Sequence, residues 1–311
     1  MMSTKPANNE KQPVAKPVIG ERVMPPGGYA DLSEGELEKR LAMFTVEAPQ
    51  RQLKDLVLPD ETLGQINGLL TKIKYQHVLY DEFGLGEIDP YGGRTAINLY
   101  GPPGTGKSFA AEAIAKELGM GIIRANYAEI ESKYVGETAK NIKAAFQKAR
   151  ETQALLFFDE ADSILGRRLS NVRQSTDHAV NVSRSVMLLE LDRFSGVTIF
   201  ATNLASNYDT AFIRRILGHI EMPLPNADSR ARLWRYHIPA RMPVQLNVDD
   251  WARLVSESEG LAGGDILNIV VNAASMALER EGPDCTIMLA DFLTAMTAAK
   301  RAKNEIGKAV T

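Results

Sequence analysis

Five short apolar runs punctuate the middle of the chain: 96–100 (AINLY), 121–125 (GIIRA), 154–159 (ALLFFD), 197–202 (VTIFAT) and 219–222 (HIEM). They are largely continuous rather than alternating, as expected of strands buried on both faces of a parallel sheet. Between them apolar residues recur at helical spacing, over 107–118, 137–151, a segment ending near 191, and a short stretch near 209–216. Strands alternating with helices predict an α/β fold, a five-stranded parallel sheet between helices. After Pro223-Leu224-Pro225 only helical patterns remain, over 227–237, 248–258, 263–280 and 288–302, and these predict a small all-α second domain.

Upstream the pattern is weaker. Ser33 and Glu36 have the spacing of a capping box for a short helix through about Phe44. Residues 45–60 read as extended. Asp60 is placed to cap a helix from Glu61 to about Phe83, with Leu63, Ile66, Leu69, Leu70 and Ile73 on one face. Residues 1–30 hold Pro6, Pro13, Pro17, Pro25 and Pro26, and are expected to be a disordered tail. The division is therefore tail 1–30, short helix and linker 31–50, large α/β domain 51–225, and small helical domain 226–311.

Composition narrows the class. With 311 residues, 44% hydrophobic and 24% charged, the chain has the make-up of a soluble globular protein with real cores. A net charge of −3 speaks against a large nucleic-acid footprint. One cysteine, Cys285, allows no disulfide within the chain and suits a reducing cytoplasm. No run has the length of a membrane span, and the N-terminus lacks the apolar core of a signal peptide.

The sharpest chemistry lies in NLYGPPGTGKS, residues 98–108, where Gly101, Gly106, Lys107 and Ser108 meet the pattern G-x-x-x-x-G-K-[ST]. Glycines let the backbone curl so that several N–H groups face one anion, and the following helix adds its positive end. Lys107 is placed to reach the β- and γ-phosphates, and the Ser108 hydroxyl to ligate Mg²⁺. The run Pro103, Gly104, Thr105, Gly106, Lys107, Ser108 and Phe109 is the candidate nucleotide cradle. About fifty residues on, an apolar strand ends in Asp159-Glu160. Asp159 is suited to hold Mg²⁺, directly or through water, and Glu160 to polarise an attacking water.

In order, GPPGTGKS, SKYVGET, LLFFDEAD, FATN, YDTAFIRR and GLAGGDI resemble the motif set of the AAA+ ATPases of the AAA clade proper, over about residues 50–302. The resemblance implies ATP and Mg²⁺ as cofactors and the helical domain as a lid over the adenine. It implies that Asn203 orients the attacking water. It makes Arg215, or else Arg214, an arginine finger for a neighbouring subunit of a homo-hexamer. Where many members carry a further arginine, this chain reads Leu217-Gly218-His219. Lys133, Tyr134 and Val135 match a pore loop that grips an extended polypeptide. Gly264 begins the lid helix, Val57 lies in the linker that touches the adenine, and Asn126 is placed to restrain Glu160. The lid arginine of other branches is absent, with Gly264 and Asp265 in its place.

The resemblance therefore implies a ring motor that threads a protein partner through its pore. The segment Asp209–Arg215 further resembles the pachytene-checkpoint ATPases, which remodel HORMA-domain proteins and have small bacterial relatives in anti-phage signalling. A DNA- or RNA-dependent ATPase is the alternative, but no basic stripe accompanies the motor. The four histidines form no H-E-x-x-H, so no metalloprotease module is expected.

Overall fold

The computed structural model describes residues 34–89, 95–126, 130, 137–166, 175–203 and 208–306. The tail expected over 1–30, Ser33 of the expected capping box, and Lys133, Tyr134 and Val135 lie outside the described residues.

Each expected strand forms within a few residues of its predicted place. These are β2 (Ala96–Tyr100), β3 (Ile122–Asn126), β4 (Leu155–Asp159), β5 (Thr198–Thr202) and β6 (Ile216–Glu221), all parallel. The five-strand expectation needs one correction. A sixth, β1 (Val46–Glu47), pairs antiparallel with β3, so the order is β1-β3-β4-β5-β2-β6. Val46 packs so closely that a Cβ on Gly121 would lie 2.5 Å from its Cγ1.

Alternate side chains of the strands feed two cores. Leu155 and Phe157 join Ile97, Leu99, Ile114 and Ile199 on one face. Leu156 and Phe158 join Ile142, Phe146, Phe200 and Phe212 on the other, where the Phe158 and Phe200 rings stack 5.4 Å apart. The first face is covered by α2 (Asp60–Lys74) and α4 (Lys107–Glu117), and the second by α5 (Glu137–Thr152) and α7 (Ser175–Arg193). The helix α3 (Leu85–Ile88) precedes β2, and α6 (Asp162–Leu165) follows β4.

The helices α9 (Ala227–His237), α10 (Val248–Glu257), α11 (Gly263–Glu281) and α12 (Leu289–Ile306) enclose a third core around Trp234 and Phe292, whose rings meet edge to face at 5.9 Å. The Trp234 indole N–H donates to Ser258 Oγ at 3.0 Å, which avoids the ~1–3 kcal/mol cost of an orphaned buried donor. The all-α expectation is corrected here: β7 (Val244–Gln245) and β8 (Ile287–Met288) pair in parallel.

Three other boundaries move. The helix expected over 61–83 stops at Lys74 and is followed by one wide turn closed by Phe83 N–H to Val78 O. Its N-cap is Pro59, and Asp60 is already helical. The short helix expected through Phe44 is α1 (Glu34–Leu41), where Glu36 pairs with Arg40. The helix expected over 209–216 shrinks to α8 (Thr210–Ile213), because Ile216 and Leu217 are drawn into β6 beside β2.

Candidate functional site

The central strand β2 delivers the chain into the turn 101–106, and α4 takes it up at Lys107. Gly101 has φ +145°, and a Cβ there would lie 2.3 Å from the Met222 carbonyl oxygen, so no other residue fits without a shift of backbone. Gly104 and Gly106 also take positive φ, at +76° and +95°. Thr105 Oγ1 ties the loop across itself by donating to Pro102 O at 2.9 Å. The Lys107 ammonium donates to the carbonyls of Gly101 (2.8 Å) and Pro102 (2.9 Å). Burial lowers its pKa, opposed by the more distant Asp159 and Asp162 carboxylates. A buried cation whose hydrogen bonds go to carbonyl oxygens favours an anion in the loop.

The first turn of α4 and the end of β4 supply the oxygen ligands. Ser108 Oγ donates to Asp159 Oδ2 at 2.9 Å, joining the first turn of α4 to the end of β4. A hydroxyl beside a carboxylate suits Mg²⁺, a hard ion that keeps waters and phosphate oxygens in its shell. Among the described residues no cluster of three or more His, Cys, Asp or Glu offers a protein-only metal cage. Glu160 follows at φ +51°, a left-handed conformation costing a non-glycine residue ~1–3 kcal/mol. Its N–H donates to Asp159 Oδ1 at 2.9 Å, and the Ala161 N–H donates to Ala201 O at 2.9 Å. The strained turn brings Glu160 to the mouth of the loop. Asn203, one residue past β5, donates its backbone N–H to both Asp162 carboxylate oxygens at 3.1 and 3.2 Å.

These elements enclose a cavity of about 400 Å³. Twelve of the candidates read from the sequence line it: Val57, Pro103, Gly104, Thr105, Gly106, Lys107, Ser108, Phe109, Asp159, Glu160, Asn203 and Gly264. Helix α11 reaches the loop through the Gly264 N–H, which donates to Gly104 O at 3.0 Å. Asp265 serves its own helix, accepting from the Ala262 N–H and pairing with Lys303 at 2.8 Å. Phe109 is covered by the Arg51 guanidinium, 5.1 Å from its ring centroid.

Sequence reasoning missed Leu233, Tyr236 and His237 on α9, Leu267 on α11, and Pro223 and Pro225, all of which line the same cavity. Leu233, Tyr236 and His237 stand at i, i+3 and i+4, so one helix face was the available signal, but that spacing equally describes a core face. Burial lowers the His237 pKa, favouring a neutral ring.

Two groups of candidates lie apart. Arg214 and Arg215 occupy the turn between α8 and β6 and do not border this cavity. Arg215 Nε and Nη2 donate to the two oxygens of Asp192 at 2.7 and 2.8 Å, and Nη1 donates to Ala211 O at 2.9 Å. Of its five N–H groups, these bonds leave one on each terminal nitrogen. Asn126 ends β3 in register with Asp159.

A family model described as "ATPase family associated with various cellular activities (AAA)" matches residues 97–224. The proteasome-activating nucleotidase of Methanopyrus kandleri is 32% identical over 306 residues, 96% of this chain and 67% of that protein. The 26S proteasome regulatory subunit 10B homolog A of Arabidopsis thaliana is 35% identical over 214 residues, 67% of this chain and 52% of that one. The chain thus spans between half and two thirds of the length of these relatives. Among solved structures, the FIGL-1 AAA domain superposes with a TM-score of 0.66 at 19% identity, covering 86% of this chain and 90% of that one, a likeness of fold. The chain belongs to the AAA family of ATPases, which work with ATP and Mg²⁺.

Proposed function

We propose that the protein is an ATP-driven homo-hexameric motor that remodels a protein partner by drawing an extended segment through a central pore. The observation that carries the hydrolytic half is the convergence of Glu160, Lys107, Ser108, Asp159 and Asn203 on one cavity. In this reading the glycine turn and Lys107 bind and orient the phosphates. Ser108 and Asp159 hold Mg²⁺, which neutralises charge on the phosphates when bound. Glu160 takes the proton of the attacking water through its carboxylate, and the Asn203 side chain orients that water. Val57, Phe109 and Gly264, with His237 beside them, shape the pocket for the base and ribose.

Assembly with a neighbouring subunit draws support from Arg215. Its guanidinium lies outside the cavity of its own chain but keeps two N–H groups for an anion, which suits a finger offered to the next subunit. Protein remodelling draws support from the relatives named for the proteasome. Lys133, Tyr134 and Val135 are the segment that would grip the partner. A HORMA-domain protein in an anti-phage system is the finer assignment, supported by the resemblance of Asp209–Arg215.

The test compares stimulation of turnover by unfolded protein, by a HORMA-domain protein, and by DNA or RNA. Stimulation by protein, together with loss of remodelling in Tyr134→Ala while much of the ATPase remains, supports the reading. Stimulation by nucleic acid alone, or intact remodelling by Tyr134→Ala, contradicts it.

A further inference from the structure

Three walls of the nucleotide cavity meet at one peptide group, the one that joins Thr202 to Asn203. Its carbonyl, Thr202 O, accepts from the Gly101 N–H at 3.2 Å, where the glycine turn leaves β2. Its N–H, on Asn203, donates to Asp162 Oδ1 and Oδ2 at 3.1 and 3.2 Å. In a trans peptide the C=O and N–H point in opposite directions, so the two bonds hold one rigid plane from its two sides. The sides match the sheet, in which β5 lies between β2 and β4.

Asp162 reaches this peptide from the turn that carries Glu160. The β4–β5 ladder ends with the pair Phe158–Phe200. Beyond it Glu160, at φ +51°, turns the chain out of the sheet. The next two residues both bond to the end of β5. Ala161 does so through its main chain, donating to Ala201 O at 2.9 Å, and Asp162 through its carboxylate. Glu160 thus stands at one end of a short brace and Asn203 at the other.

Folding places little demand on this carboxylate. Asn203 is exposed, so water would satisfy its N–H if the carboxylate were removed. An acidic residue at the start of a helix is commonplace, but α6 is only four residues long, and both Asp162 oxygens lie within hydrogen-bond reach of Asn203. Asp162 does not border the cavity, so it acts on the site through what it holds. The rival reading is charge, because the Asp162 carboxylate also favours the charged form of Lys107.

We propose that Asp162 is a positioning residue for hydrolysis, fixing the Thr202–Asn203 peptide so that the Asn203 side chain and the Glu160 carboxylate face the same water. The inference rests on the roles given to Asn203 and Glu160 above. One ångström of misplacement at a reacting centre can cost on the order of 100-fold in rate, so loss of the brace shows in kcat, while the glycine turn and Lys107 still bind ATP.

The experiment is a double-mutant cycle in the full chain, using Asp162→Ala, Asp162→Asn, Asn203→Ala and the combination Asp162→Ala/Asn203→Ala. Turnover, ATP affinity and melting temperature are measured for each. Asp162→Ala is expected to lose about tenfold or more in kcat, with ATP affinity unchanged and melting little altered. Should it not fold, Asp162→Ser, whose hydroxyl stops one bond short of the carboxylate oxygens, takes its place with the same expectation. Asp162→Asn keeps an oxygen that can accept the Asn203 N–H and removes the charge, and it is expected to recover most of the lost rate. In the Asn203→Ala background, Asp162→Ala is expected to cost little further, because both changes disable the same group. Additive losses, wild-type kcat in Asp162→Ala, or an Asp162→Asn protein as slow as Asp162→Ala would overturn the positioning role, the last by giving the effect to charge. If Asn203→Ala alone turned over at the wild-type rate, the role of Asn203 itself would fall and the proposal with it.

Discussion

Ser108 Oγ donates to Asp159 Oδ2 across 2.9 Å, and this bond joins the first turn of α4 to the end of β4. Two motifs fifty residues apart in the chain thus meet as a pair of oxygen ligands. Removing the carboxylate charge with Asp159→Asn is expected to raise the Mg²⁺ concentration for half-maximal turnover by at least ~10–100-fold, the range typical of losing a group that orients a metal site. A Mg²⁺ titration of the steady-state rate reads this directly. An unchanged midpoint would place the ion elsewhere.

The turn that carries Lys107 tolerates no side chain at its first residue. Gly101→Ala forces a Cβ to 2.3 Å from the Met222 carbonyl at a φ of +145°, so either the turn or the strand beside it must move. The expected cost is ~1–3 kcal/mol in unfolding free energy, with a clear loss of ATP affinity. Chemical denaturation and nucleotide binding measured on the same preparation check both. Full stability with full affinity would contradict the geometry.

The N-terminal strap offers a pH test. Glu112 on α4 accepts the backbone N–H groups of Gln50 (2.7 Å) and Arg51 (3.1 Å) and pairs with Arg124 at 2.7 Å. Burial alone would raise its pKa, but these donors outweigh it and the net shift is downward. A carboxyl whose folded pKa lies below its unfolded value adds stability that is present above the unfolded pKa and is lost as pH falls through the folded one. The strap is therefore expected to loosen in acid, below the ordinary carboxylate range. In Glu112→Gln it is expected to be looser already at neutral pH, with much less of that acid dependence. Hydrogen exchange at residues 50–51 as a function of pH measures the effect. Protection independent of pH in the wild-type chain would contradict it.

The Arg215–Asp192 pair offers a test of the proposed finger that is separate from stability. Their side chains remain 30% and 47% exposed, so the pair contributes only ~0–1 kcal/mol to folding. Yet the bidentate grip fixes the direction in which the guanidinium presents its remaining N–H groups. Asp192→Asn is expected to shift the melting temperature little and to lower kcat about tenfold or more. Equal, small effects on both would make the pair an ordinary surface contact.

Much of this was legible in the sequence because local chemistry demanded it. The turn 101–108 needs glycine at positive φ and a lysine at its end, and the strand 154–159 is continuously apolar because both its faces are buried. What escaped was set by partners distant in sequence. Val46 and Glu47 form a strand only because β3 has an open edge and Gly121 makes room for Val46. Ile216 and Leu217 read as the end of a helix, but pairing with β2 pulls them into a strand. Val57 and Gly264 were found through the resemblance, whereas Tyr236 and His237 reach the cavity by the packing of α9, which no local spacing distinguishes from a core face. Lys133, Tyr134 and Val135 lie outside the described residues and keep only their sequence-based reading.

The central claim is that Glu160 performs hydrolysis in a cavity that binds ATP without it. Single-turnover and steady-state hydrolysis by Glu160→Gln, with ATP affinity measured alongside, tests it most directly. The substitution keeps the size of the side chain and removes only its charge and basicity. Tight ATP binding with turnover reduced at least ~10²-fold, the lower range for loss of a general base, is the expected result. Hydrolysis near the wild-type rate would contradict it.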